Sequence, residues 1–251
     1  MRLERISFKA VVVILFPAVI VSACKKDKSS SPPPPEEKKK SFIQVVNATP
    51  KTGELEVSLD NKTIVAKVAY HSQPNSYVQF EPKDNIPFKI TGPDKKTIAE
   101  GKYTFDKDKY YTVFAYDTLS TDKKVKYIIL KDTLPDPGTG KSSIRFLHLS
   151  PDASLVNIDI FKGTDSLRLV TGGSYIGSTP NTVALSNFSK IAAGDYRVKV
   201  KGKTKTGADT LLLNISPVKV EAGKTFTLYL GGLVKGKDPH KISVQLLQHK
   251  K

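Results

Sequence analysis

The chain has 251 residues, with 40 basic against 24 acidic side chains, a formal net charge of +16, one cysteine and no tryptophan. A single cysteine and four scattered histidines (His71, His148, His240, His249) exclude a disulfide framework and give no metal-ligand spacing. Stability therefore has to come from packing, and the length allows two domains of ordinary size.

Arg2, Arg5 and Lys9 precede the apolar stretch 10–21, which closes on Val21-Ser22-Ala23-Cys24. A basic head, an apolar middle and a small-residue end make a secretory leader. The ending resembles the lipobox of bacterial lipoprotein precursors. That resemblance implies removal of residues 1–23, lipidation of the Cys24 thiol and acylation of the new amino terminus. A transmembrane helix would need about 20 apolar residues. This run is shorter, contains Pro17 and is followed at once by Lys25, Lys26 and Lys28. Two or three acyl chains give a durable anchor, where one binds only marginally. No Asp follows Cys24, so a lipid-anchored protein of the Gram-negative outer membrane is expected by analogy. Loss of the leader removes three basic residues and one acidic one and leaves a formal +14.

Residues 24–41 form the anchor and tether. From Lys25 the segment has no apolar residue and carries a four-proline run, a composition that stays extended at about 3.1 Å per residue and reaches roughly 50 Å. Its lysines can lie on anionic headgroups or simply keep the stalk solvated.

Beyond the tether the apolar period is two almost everywhere, with Gly, Pro, Asn and Asp at close intervals, and the fold class expected is all-β: tandem antiparallel β-sandwiches, Ig-like or transthyretin-like. Strands are predicted at 42–48, 54–60, 63–69, 76–81, 86–91, 96–105, 109–117 and 125–131. The second half repeats the first. Ile43 to Pro50 aligns with Ile144 to Pro151, Leu55, Val57 and Leu59 fall on Val156, Ile158 and Ile160, and Tyr111-Thr112-Val113 falls on Phe226-Thr227-Leu228. A period near a hundred residues means tandem domains, here 42–131 and 142–251, joined by the proline- and glycine-rich linker 132–141.

Ser150-Pro151-Asp152-Ala153, then Val156 to Ile160 and Gly173-Ser174-Tyr175, resemble the motif sequence of the domain of unknown function 4397 family. The resemblance implies a β-sandwich module of secreted and envelope proteins, without catalytic or binding residues to transfer. The first copy departs from it at Thr49-Pro50-Lys51 and keeps the later tyrosine as Tyr70.

Gly138-Thr139-Gly140-Lys141-Ser142 looks like the end of a phosphate loop, yet Pro135 stands where a glycine is required and a strand follows in place of a helix. Asp106 and Asp108 have calcium-ligand spacing, but Lys107 and Lys109 flank them and the loop's glycine and closing glutamate are missing. Neither metal nor cofactor is expected, and no Gly-x-Ser-x-Gly elbow offers an activated serine. The chain reads as no enzyme, although dispersed carboxylates converging as a glycosidase pair stay open.

Two surfaces are candidates for binding. Arg197, Lys199, Lys201, Lys203 and Lys205 alternate along one strand and span about 27 Å at roughly 3.3 Å per residue. They form either a track for an anionic polymer or the protective lysines of an edge strand. Tyr110, Phe114 and Tyr116 alternate with the inward Tyr111, Val113 and Ala115. They form either an exposed row for stacking on sugars or a face packed under a loop or the other domain. Asp-Thr/Ser-Leu recurs four times, and Thr118, Thr133, Ser166 and Thr210 resemble acceptors for O-glycosylation of exported proteins, though Asp at turns explains a copy or two. The function expected is a lipid-anchored, non-catalytic envelope protein that binds a glycan or another envelope component. Its partners are then the membrane through Cys24 and a polysaccharide or envelope protein, without nucleic acid. A structural protein that touches only protein partners, and a polysaccharide hydrolase, are the alternatives.

Overall fold

A computed structural model describes residues 40–177, 179–204 and 206–250. The leader, Cys24, the tether up to residue 39 and Lys205 lie outside the described residues. The described residues belong to one compact unit.

Sixteen strands are arranged in four sheets. In the first half these are β1 (Ser41–Asn47), β2 (Leu55–Leu59), β3 (Lys62–Val68), β4 (Val78–Phe80), β5 (Ile86–Thr91), β6 (Thr97–Tyr103), β7 (Tyr110–Tyr116) and β8 (Lys126–Asp132). The second half has β9 (Lys141–His148), β10 (Val156–Lys162), β11 (Asp165–Gly173), a four-residue helix α1 (Thr182–Leu185), β12 (Ser189–Ala192), β13 (Gly194–Lys203), β14 (Asp209–Val220), β15 (Thr225–Gly231) and β16 (Ser243–His249). All eight first-half strands occur where the alternation predicts them.

Each half is a sandwich of two sheets with matching strand order. The first half has β4-β1-β7-β8 and β3-β2-β5-β6, and the second has β12-β9-β15-β16 and β11-β10-β13-β14. One feature departs from a purely antiparallel design: β1 runs parallel to β7, and β9 parallel to β15. A parallel pair needs a long crossover, and here the rest of the half supplies it.

Period-two alternation fills the two sandwich interiors. Ile43 and Val45 of β1, Leu55, Val57 and Leu59 of β2, Phe88 and Ile90 of β5, and Tyr111 and Val113 of β7 make the first core. Ile144, Ile158, Ile160, Val198, Val200, Phe226 and Leu228 make the second. A third cluster joins Val46, Ala48, Phe114, Tyr116 and Leu130 of the first half to Leu147, Leu149, Tyr229 and Leu247 of the second. The sheets β4-β1-β7-β8 and β12-β9-β15-β16 therefore pack face to face and are covered on both sides. Four layers result, with the other two sheets outermost.

Candidate functional site

The seam between the inner sheets holds a polar network as well as the apolar cluster. Asp132, at the end of β8, accepts from the Tyr77 hydroxyl at 2.8 Å and from the Thr112 hydroxyl at 2.5 Å. Its other oxygen meets the Arg145 guanidinium at 2.7 Å, with both side chains shielded from solvent. Arg145 Nε donates to Thr227 Oγ1 at 2.8 Å, and the guanidinium lies 4.7 Å from the Phe188 ring centre. Gln44 Nε2 donates to Thr112 Oγ1 at 2.9 Å and lies 3.0 Å from His249 Nδ1, which also faces the Tyr77 hydroxyl at 2.7 Å, while His249 Nε2 lies 2.8 Å from Thr227 Oγ1. Burial pushes His249 down to about 4, with the Arg145 charge adding to the effect and the Asp132 carboxylate opposing it.

A second contact in the seam sets Tyr70 and His71 against Tyr229, Gly231 and His240. The Tyr70 ring stacks on His71 at 3.8 Å and meets His240 at 5.0 Å. The buried atoms Tyr70 Oη, His71 Nε2, Tyr229 Oη and His240 Nδ1 have no hydrogen-bond partner among the described residues. A proton on His71 is correspondingly disfavoured, and burial followed by the nearby His240 holds it down to about 4.

This packing decides the fate of the aromatic row. Phe114 and Tyr116 are 0% and 1% exposed. Tyr110 is half-buried, stacked on Phe42 at 4.6 Å and edge-on to Tyr77 at 4.9 Å. An exposed sugar-stacking row is therefore corrected to a seam face, because β7 has a sandwich interior on one side and the second half on the other. Tyr116 donates its hydroxyl to the Gly177 carbonyl at 2.9 Å, across that seam.

The cationic row has the opposite fate. Its described members Arg197, Lys199, Lys201 and Lys203 belong to β13, whose neighbours are β10 and β14, so these are not the lysines of an edge strand. Val198 and Val200 point into the core while Arg197, Lys199, Lys201 and Lys203 face out. The outer face sorts them into two kinds. Lys203 pairs with Asp209 at 2.7 Å, and Lys201 lies 3.5 Å from Asp159, which also binds Arg168. Among the described residues Arg197 and Lys199 form no ion pair, although Asp159 stands across from Lys199 in the register of β10 and β13, and they flank the Phe161 ring of β10, at 4.8 and 5.1 Å from its centre. Two cations are thus held by an aromatic face without a direct ion pair among the described residues.

Other predicted residues are dispersed. Thr133, Ser166 and Thr210 are exposed, in the linker, on β11 and on β14, while Thr118 is half-buried after β7. The aspartates before them do unrelated work: Asp132 is a seam residue, and Asp117 binds Lys126 at 2.7 Å and Tyr175 at 2.8 Å. Asp106 pairs with Lys131. Among the described residues no group of three or more His, Cys, Asp or Glu is placed to hold a metal. No described helix is long and apolar enough to cross a membrane. Ser150-Pro151-Asp152 has a structural task, since Asp152 accepts from the amides of Val234 and Lys235 at 2.8 and 3.2 Å and fixes the loop after β15. Sequence reasoning missed the seam network. Its one visible signal was the apolar and aromatic run of β7, broken only by Thr112, a mark of a strand covered on both faces.

Residues 41–159 match the model of a family described as Domain of unknown function (DUF4397), which supports that family for the first half and the start of the second. No curated protein matches the chain. Solved structures overlap it weakly. A leucine-rich repeat protein from Bacteroides thetaiotaomicron is 10% identical with a TM-score of 0.21, over 84% of this chain and 27% of that one. A candidate cell adhesion protein from Bacteroides fragilis is 10% identical with a TM-score of 0.23, over 79% and 83%. Intermedilysin in a complex with human CD59 gives 10% and 0.20, over 73% and 33%. The chain thus spans about a third or less of the intermedilysin and leucine-rich repeat chains.

Proposed function

We propose that this protein is a lipid-anchored, non-catalytic binding module of the cell envelope, and that it holds an anionic glycan on the outer face of the β11-β10-β13-β14 sheet. The observation that carries this reading is the pair Arg197 and Lys199, set over Phe161 and engaged in no ion pair among the described residues. Adjacent outward positions on a strand are about 6.6 Å apart, close enough for both cations to bind one carboxylate- or phosphate-bearing residue. Lys201 and Lys203 are partly neutralised by Asp159 and Asp209 and serve mainly to keep the face positive at longer range. The burial of Phe114 and Tyr116 moves the weight from neutral sugars to acidic ones.

The fragment from Lys25 onward, titrated with a uronic-acid polymer and with neutral dextran, tests the reading. Binding of the acidic polymer that weakens by about tenfold in the Arg197→Ala/Lys199→Ala variant and falls with salt supports it. Equal binding of both polymers, or of neither, removes it. Anchoring is tested separately, because Cys24→Ala should abolish incorporation of labelled palmitate.

A further inference from the structure

The pairing registers make the two halves comparable residue by residue. Ile43 faces Tyr111 as Ile144 faces Phe226, and Leu130 faces Thr112 as Leu247 faces Thr227. Gln44 therefore corresponds to Arg145, Thr112 to Thr227, Phe114 to Tyr229 and Asp132 to His249. Applied to the seam, these correspondences reveal a symmetry. Phe114 touches Tyr229, its own counterpart, with ring centres 5.7 Å apart. Gln44 bonds His249 while Arg145 meets Asp132, so each contact is the image of the other. His71 donates its amide to the Asn47 carbonyl and lies by Gly231 and Ser243. Its counterpart Ile176 donates to the His148 carbonyl, and the adjacent Tyr175 lies by Tyr116 and Lys126. Residue i meeting j′ while j meets i′ is the pattern of an isologous, two-fold interface. The halves meet as two copies of one protein would meet in a symmetric dimer.

Such a face is open to the wrong partner, because it is shaped to accept its own kind. We propose that Asp132 and Arg145 are the pairing-specificity residues of this seam, making a self-complementary shape select unlike halves. Two first halves joined this way would bury Asp132 against Gln44 twice, with no cation in reach. Two second halves would bury Arg145 against His249 twice, with no anion. Only the unlike pair brings carboxylate and guanidinium together, and an unpaired buried charge is the strongest available penalty against the alternatives. On a membrane surface crowded with tethered copies this confines the seam to its own chain. The linker 133–140 reinforces it, since a short covalent link supplies a millimolar effective concentration of the correct half.

The test keeps the full chain and inserts a protease site between the exposed Gly138 and Thr139. After cleavage the wild-type halves should co-elute in size exclusion as one species. Asp132→Arg or Arg145→Asp alone should separate them on cleavage, and the double reversal should co-elute again. Each half keeps its own sandwich core, so circular dichroism of the uncut single variants should retain the β signal. If a reversal prevents folding, Arg145→Gln gives the second half the first half's residue and should weaken association at least tenfold. Separation of the cleaved wild type, unaffected pairing in the single variants, or failure of the double reversal to restore it overturns the proposal.

Discussion

The two outer sheets begin from one strand plan and end as different surfaces. β5 and β13 occupy equivalent central positions, yet β5 turns Pro87, Lys89 and Thr91 outward where β13 turns Arg197, Lys199 and Lys201. Beside them, Asp60 follows β2 at the place where β10 carries Phe161. In the first half the charges are spent locally: Lys95 on Glu56, Lys83 on Asp60, and Lys89 on Asn61. In the second half two cations are held in place without a direct ion pair among the described residues. The inner sheets, by contrast, share register and most apolar positions, because each must fit the other, and differ where Gln44 answers Arg145 and Asp132 answers His249. Apart from those two seam positions, divergence falls on the face that packing leaves free, where the proposed ligand would bind.

Breaking the shared part should have the largest effect. Phe114→Ala opens a cavity on the pseudo-axis and should cost about 3–5 kcal/mol in urea denaturation, whereas Tyr110→Ala at the seam's rim should cost far less. Equal losses would mean that the seam is no core. Acid is the next lever. His71 and His249 are both held down to about 4, while in the unfolded chain each titrates near 6.5. Between those values the unfolded state binds more protons. Stability therefore falls as pH drops from about 6.5 to 4 and levels off below, by on the order of 3 kcal/mol for each histidine. His71→Gln should flatten its share of that slope. Gly231 comes third. A Cβ there would lie 2.6 Å from His71 Nε2, and Gly231→Ala should cost about 1–3 kcal/mol, while alanine at the open Gly207 tests only backbone strain at its positive φ. The outer face should matter least to folding. Arg197→Ala/Lys199→Ala should change stability by no more than about 0.5 kcal/mol, and a larger fall would make the pair structural.

Much of this was legible in the sequence. Alternation placed the strands, and the aligned copies fixed Ile43 on Ile144 and Tyr111 on Phe226 before any geometry was known. The seam was not legible from alternation, for a physical reason. A period of two assigns every second residue to the far side of a strand without saying whether water or protein lies there. Gln44, Thr112, Arg145 and Thr227 are polar and alternate, so they carry the pattern of a wet face. Only convergence with Asp132 and His249, from strands distant in sequence, makes them a buried network. The cationic row failed in a milder way. Its outward direction was readable, but whether β13 is edge or centre, and which lysines meet Asp159, Asp209 or Phe161, depends on strand neighbours that local pattern does not encode.

The stacking of layers has a mechanical consequence. The chain enters the folded body at Lys40, on the first-half side of the seam, and the cations of β13 lie on the far outer sheet of the second. Under the proposed anchoring and binding, tension between the amino terminus and a ligand on that sheet would pass from the first half to the second, across the seam. Packed faces yield abruptly under such a load, since their contacts act over short range. The linker 133–140 runs in parallel with them and extends to about 26 Å at 3.3 Å per residue. The linker then bounds how far the halves can part if the seam opens, and each half keeps a sandwich core of its own.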